Sequence, residues 1–161
     1  MPDMPRVVVA IAPHSSNWDF IIGAALMMVF GLSVSFVAKH TLFWWPLGGV
    51  MRWLGGIAVD RARPEGLAET LAAEYHRQER PWLAITPEGT RSAGVRFKSG
   101  FYRIAQAAEV PILPVYFNYR RRVLGFLPPM AAQADTEAGV ESVRQLLMAA
   151  GERRDSADRS V

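Results

Sequence analysis

The sequence predicts an α/β domain: a mostly parallel twisted sheet covered by helices, a single layer-sandwich. Three observations carry this expectation. Apolar runs recur at 6–12, 82–86 and 111–117, nearly continuous as strands buried on both faces must be. Helical stretches alternate with them, the pattern of parallel strands joined by crossovers. Breakers at Pro13, Gly31 and the 87–90 turn mark the element ends. At 161 residues one domain is expected, long enough to bury about two-thirds of its unfolded surface.

Taken in order, Val7 to Ala12 reads as a buried strand that Pro13 ends. Ser15, Ser16 and Asn17 are good N-cap residues for a helix over 17–30, which Gly31 closes. Residues 33–38 alternate like a strand. Phe20 to Ala38 contains no charge over 19 residues, the length of a membrane span. Gly31, Ser33 and Ser35 divide it instead into a helix and a strand. The stretch 40–55 carries Trp44, Trp45 and Trp53 and reads as irregular. Its rings either cover the sheet or meet a membrane interface, where Trp satisfies an apolar body and a polar N–H. Phe43, Trp44, Trp45 and Met51 are candidates to wall an apolar tunnel.

A strand at 56–60 ends in Asp60 and Arg61. A helix over 65–78 presents Leu67, Leu71 and Tyr75 at i, i+4 and i+8, with His76 on its solvated side. A strand at 82–86 runs into the turn Pro87-Glu88-Gly89-Thr90, and a helix follows at 99–108. In the strand at 111–117, Pro114 implies an edge or a bulge. A short strand near 123–126 and a helix over 136–149 complete the pattern. The body is 1–150, and the polar residues 151–161 form a tail expected to be disordered.

Composition removes several chemistries. The chain has no cysteine, hence no disulfide, Cys nucleophile or thiolate metal site. Its three His lack metal-ligand spacing, so no metal is expected. There is no G-x-S-x-G elbow. The start Met-Pro-Asp-Met-Pro-Arg has no secretory form, which makes the cytoplasm the default. Net charge is +3, and the cations are nearly all Arg, apart from Lys39 and Lys98. Planar guanidinium forks suit phosphate, whether in lipid, a phosphorylated substrate or nucleic acid. Nucleic acid is disfavoured, since no recognition motif appears and the Trp residues cluster with aliphatics rather than among Arg.

Two stretches carry candidate chemistry. On one continuous helix His14 and Asp19 would point about 140° apart. They meet only if His14 lies in the connection and Asp19 in the first helical turn. The carboxylate would then hold one ring N–H and leave the other nitrogen as a general base. In the second stretch, Glu88, Gly89, Thr90, Arg91 and Ser92 follow a buried strand. Turn amides, hydroxyls and an Arg fork make a plausible anion cradle. Arg61 falls at a strand's carboxyl end, where α/β sheets place ligands, and Lys98 and Arg103 add positive charge nearby. Arg120-Arg121-Arg122 is a basic run suited to lipid head groups.

In this order the blocks resemble the glycerolipid acyltransferase family. His14 to Asp19 matches its H-x4-D block. Lys39, Leu42, Pro46 and Gly49 lead to Gly56–Arg61, similar to G-x-x-x-x-D-R. Pro87–Ser92 matches P-E-G-T-R-S, and Val110–Val115 matches V-P-I-x-P-V. The resemblance spans roughly residues 7–130. It implies a fold of the glycerolipid acyltransferase type and transfer of an acyl chain from acyl-CoA or acyl-carrier protein, a co-substrate and not a cofactor, to a lysophospholipid hydroxyl. His14 and Asp19 would be catalytic. Arg61, Glu88, Gly89, Thr90, Arg91, Lys39 and Lys98 would bind substrate, with a membrane surface as partner and a peripheral place on the inner face of the cell membrane. Pro13, Trp18 and Thr86 depart from residues common at those positions. Two alternatives stand beside this reading: an acyl-thioester hydrolase using the same pair, and a catalytically inert lipid-binding homologue.

Overall fold

In the computed structural model the described residues are 6–12, 31, 33–60, 66–77, 82–88, 97–118 and 123–157, with side chains through residue 150. Six strands form one sheet: β1 (Val7–Ala12), β2 (Val34–Lys39), β3 (Gly56–Val59), β4 (Trp82–Ile85), β5 (Ile112–Asn118) and β6 (Val123–Phe126). Their order is β3-β2-β4-β1-β5-β6. The first five run parallel, and β6 pairs antiparallel with β5. Among the described residues the helices are α1 (Leu47–Trp53), α2 (Leu67–Arg77), α3 (Gly100–Ala107) and α4 (Thr136–Ala157), with a 3-10 turn at His40–Leu42. The expected α/β class and mostly parallel sheet are both present. The helix expected over 17–30 lies outside the described residues. Gly31, expected to close it, sits at a φ of +61° that favours glycine.

The strand period of two sorts side chains onto two faces. Val8, Ala10 and Ala12 of β1, with Leu83 and Ile112, face a core built with α2, α3 and α4. Leu71 and Tyr75 of α2, Phe101 and Ile104 of α3, and Val140, Val143 and Leu147 of α4 fill it. The last three fall at i, i+3 and i+7, one face of a helix. Full burial of each such aliphatic or aromatic side chain contributes roughly 1.5–3 kcal/mol. Val7, Val9, Leu113 and Val115 form a second cluster with the other strand parity. A third joins Phe36 and Ala38 of β2 to Met51 of α1, with Phe43 and Leu54 against it.

Several expectations are refined or corrected. β5 is not an edge, because β1 and β6 flank it. Pro114 is accommodated by the other option, a bulge. Ile112 exchanges both backbone bonds with Met130 at 2.8 Å, and the Leu127 amide donates to the Pro114 carbonyl at 3.0 Å. Thus 112–114 is matched by 127–130, one residue longer, and β6 has ended at Phe126 before it would need the amide that proline lacks. The 40–55 stretch is not wholly irregular. Gly48 lets its amide reach the Trp44 carbonyl at 2.6 Å, and a Cβ there would collide with the Phe43 carbonyl. His76 is exposed but not merely solvated, since its Nε2 lies 3.1 Å from the Ala108 carbonyl oxygen. Finally, α4 continues to Ala157, past residue 149, so 151–157 are helical. Glu152, Arg153, Arg154 and Ala157 are good helix formers that need no apolar face to extend a helix already packed. Its start is fixed by Asp135, whose Oδ1 accepts the Ala138 amide at 3.0 Å.

Candidate active site

All five parallel strands deliver their carboxyl ends to one edge of the sheet. Register pairs Lys39 with Val59 and Ala12 with Tyr116. Phe36 pairs with Ala84, so Lys39, three residues on, is level with position 87. Ala10 pairs with Ile85, which brings Ala12 level with position 87 from the other side. One row therefore crosses the sheet through Val59, Lys39, Pro87, Ala12 and Tyr116. In a parallel sheet this edge is where ligands bind, because the connecting loops open there.

The blocks singled out in the sequence begin on this row. Asp60 and Arg61 follow Val59, Glu88 follows Pro87, and Pro13 and His14 follow Ala12. Of the candidate residues, Lys39, Glu88 and Lys98 are among those described. Lys39 is the exposed last residue of β2, and Glu88 is half-buried just beyond β4. Lys98 is exposed, and its backbone amide donates to the Pro87 carbonyl at 2.8 Å. That bond holds together the two positions that flank the Glu-Gly-Thr-Arg block in sequence and sets the backbone of Lys98 beside Pro87. Pro87 itself is fully buried, so the first of these positions is anchored in the protein interior. His14, Asp19, Arg61, Gly89, Thr90 and Arg91, and the basic run 120–122, lie outside the described residues.

Sequence reasoning missed one contact on this edge. His40 Nδ1 approaches Asp60 Oδ1 at 3.8 Å, with both side chains about half exposed. It links the chain leaving β2 to the chain leaving β3, one residue before Arg61. The signal was available, since His40 lies just past the run read as a strand at 33–38 and Asp60 at the end of that at 56–60. The expected tunnel wall divides in two. Phe43 and Met51 pack inward against β2, whereas Trp44 and Trp45 are exposed. In the seven-residue helix that follows them, Gly48 and Met51 are the buried residues.

Comparison with known proteins identifies the family. The Acyltransferase family matches residues 3–118. The chain is 31% identical over 154 residues to 1-acyl-sn-glycerol-3-phosphate acyltransferase of Salmonella typhimurium, covering 84% of this chain and 60% of that protein. The Escherichia coli protein of the same name is 33% identical over 111 residues, 65% of this chain and 44% of the relative. The alpha form from Mus musculus is 29% identical over 174 residues, covering 91% and 59%. The chain thus spans about 60% or less of the length of these relatives. The family match takes in β1 through β5 and every block that begins on the row described above, and the chain belongs to the glycerolipid acyltransferase family.

Proposed function

We propose that this chain transfers a fatty acyl group from an acyl thioester, of CoA or of acyl-carrier protein, to the free hydroxyl of a lysophosphatidate-like lysophospholipid. The observation that carries the reading is the shared row. The strands leading into the His14 block and the Glu88 block are hydrogen-bonded neighbours, parallel, with their ends level. Neighbouring strands lie about 4.8 Å apart. In sequence His14 is two residues beyond Ala12 and Gly89 two beyond Pro87. Two blocks some seventy positions apart in sequence are thereby rooted side by side, as a base and an anion cradle acting on one substrate require.

In this reading His14, oriented by Asp19, takes the proton of the lysophospholipid hydroxyl. The oxygen attacks the thioester carbonyl carbon, and the tetrahedral intermediate collapses by breaking the C–S bond. The thiolate leaves with the proton returned from His14, so no acyl-enzyme forms and no cysteine is needed. Arg61, Glu88, Gly89, Thr90, Arg91, Lys39 and Lys98 bind the acceptor, its phosphate held by cations and turn amides. No helix among the described residues is long and apolar enough to cross a membrane. The reading puts the protein peripherally on the inner face of the cell membrane, where its acceptor resides.

The test is acyl transfer by the purified chain with both thioester donors, with and without lysophosphatidate. Thiol release that depends on the acceptor and is lost in His14→Ala supports transfer. Release indifferent to the acceptor identifies a hydrolase, and lipid binding without turnover identifies an inert homologue.

A further inference from the structure

α1 is apolar on both sides. Gly48 and Met51 face the sheet, while Leu47, Val50 and Trp53 (i, i+3, i+6) are exposed, Trp53 by 70%. A surface helix ordinarily turns polar residues to that side. The chain entering the helix extends the patch with Leu42, Trp44 and Trp45, the last two exposed by 61% and 88%. Scattered exposed apolar residues need no explanation, but a contiguous set with three tryptophans marks a contact surface.

Charge selects the occupant. From Lys39 to Val59 the sequence contains no Asp or Glu. Lys39 and Arg52 are exposed at the two ends of the patch, and the Arg52 guanidinium lies over the Phe43 ring at 5.7 Å from its centroid. Exposed Trp among aliphatics, flanked by cations and with no acid within the segment itself, Asp60 approaching it at His40, fits the head-group boundary of an anionic bilayer. Seven residues are too few to span it, so the contact is interfacial. We infer that the outer face of the His40–Trp53 segment is the surface on which this protein docks to anionic phospholipid, with Trp44, Trp45 and Trp53 entering the interface. The segment starts directly after Lys39 on the row, so docking sets the carboxyl edge of the sheet at the lipid surface. That consequence rests on the proposed function; the docking itself does not.

The experiment is flotation of the full chain with phosphatidylcholine vesicles, with and without phosphatidylglycerol. The wild type is expected to float with the anionic vesicles. The double variant Trp45→Ser/Trp53→Ser is expected to lose roughly tenfold or more in affinity, as removal of two interfacial rings implies. Arg52→Glu is expected to lose several-fold, on anionic vesicles only. Far-UV circular dichroism checks the fold. If the double variant does not fold, quenching of wild-type Trp emission by brominated acyl chains reads the same contact. Flotation of the double variant equal to wild type, no flotation of the wild type, or absence of quenching overturns the inference. So does a wild-type oligomer that the double variant dissolves while vesicle binding is unchanged, since the patch would then join two copies. His14→Ala is expected to float like wild type, so loss of transfer and loss of docking are separable.

Discussion

The Tyr75 phenol is hydrogen-bonded twice to the first residue of β1. It accepts the Val7 amide at 2.9 Å and donates to the Val7 carbonyl at 3.2 Å. One α2 side chain thus satisfies both backbone polar groups of a fully buried residue. Arg6 stacks over the same ring at 5.3 Å from its centroid and donates to the Tyr75 carbonyl at 3.0 Å. The strand that leads to His14 is thus held at its start by a side chain as well as by its pairing with β4.

Removing that hydroxyl leaves buried backbone groups without this partner, which costs about 1–3 kcal/mol. Tyr75→Phe is expected to lower the thermal midpoint by several degrees, read by circular dichroism. Burial pushes the Tyr75 hydroxyl above its usual value, opposed by its bond to Val7 and by nearby Arg6. The folded state therefore favours the neutral phenol. Its contribution is complete below the unfolded value of 10.0 and is lost as pH rises toward the higher folded value. Tyr75→Phe is expected to flatten that alkaline decline.

Gly139 inverts the usual helix rule. Gly to Ala inside a helix ordinarily stabilises by about 0.5–1 kcal/mol. Here a Cβ would overlap the end of the Tyr102 ring. That ring cannot swing away, since Tyr102 is buried and its hydroxyl accepts the Gln133 amide at 2.8 Å. Gly139→Ala is expected to destabilise by about 1–3 kcal/mol, measured by urea denaturation, and to cost less in a Tyr102→Leu background.

On α4, the Arg144 guanidinium donates to both oxygens of Glu141 at 2.6 and 2.7 Å. Its hydrogen bonds, with one from Gln145, hold the Glu141 carboxyl at about 2, below the ordinary 4.5. A carboxylate with a depressed value stabilises above the unfolded value and loses that contribution as pH falls through the folded one. The window is therefore from 4.5 down to about 2. A carbon-detected NMR titration is expected to find Glu141 ionised well below other carboxylates, and Arg144→Gln to return it toward them.

Lys98 offers a kinetic test of the edge. Its backbone amide is bonded to the Pro87 carbonyl, while its side chain is exposed, so Lys98→Ala leaves that bond intact. On the proposed function Lys98 helps hold the acceptor phosphate, and its loss is expected to raise KM for the lysophospholipid several-fold with kcat within about twofold, the signature of uniform binding. An unchanged KM removes Lys98 from the acceptor site.

Much of the scaffold was legible because period and punctuation agree. β1, β4 and β5 announce themselves as β-rich apolar runs, and Leu67, Leu71 and Tyr75 already mark the buried side of α2. Three features were hidden for physical reasons. Pro114 is compatible with an edge or a bulge, and only the mismatch between 112–114 and 127–130 decides between them. α1 escapes a polarity pattern because both its sides are apolar. The end of α4 depends on helix propensity, which leaves no apolar stripe to read. At the site, the blocks could be read from residue types, but the placement of the strands that lead to them could not. That Ala12 and Pro87 stand level follows from strand order and register, which no local pattern encodes.

The bond from the Lys98 amide to the Pro87 carbonyl has a further consequence. It holds to each other the two positions that flank the Glu-Gly-Thr-Arg block in sequence, Pro87 and Lys98. Lengthening the chain between two positions so held is cheap, about 0.6 kcal/mol for each doubling. Exchanging the sequence between Pro87 and Lys98 for that of a relative is therefore expected to leave the thermal midpoint within a few degrees. On the proposed function, such an exchange is expected to change acceptor choice while the framework beneath is kept.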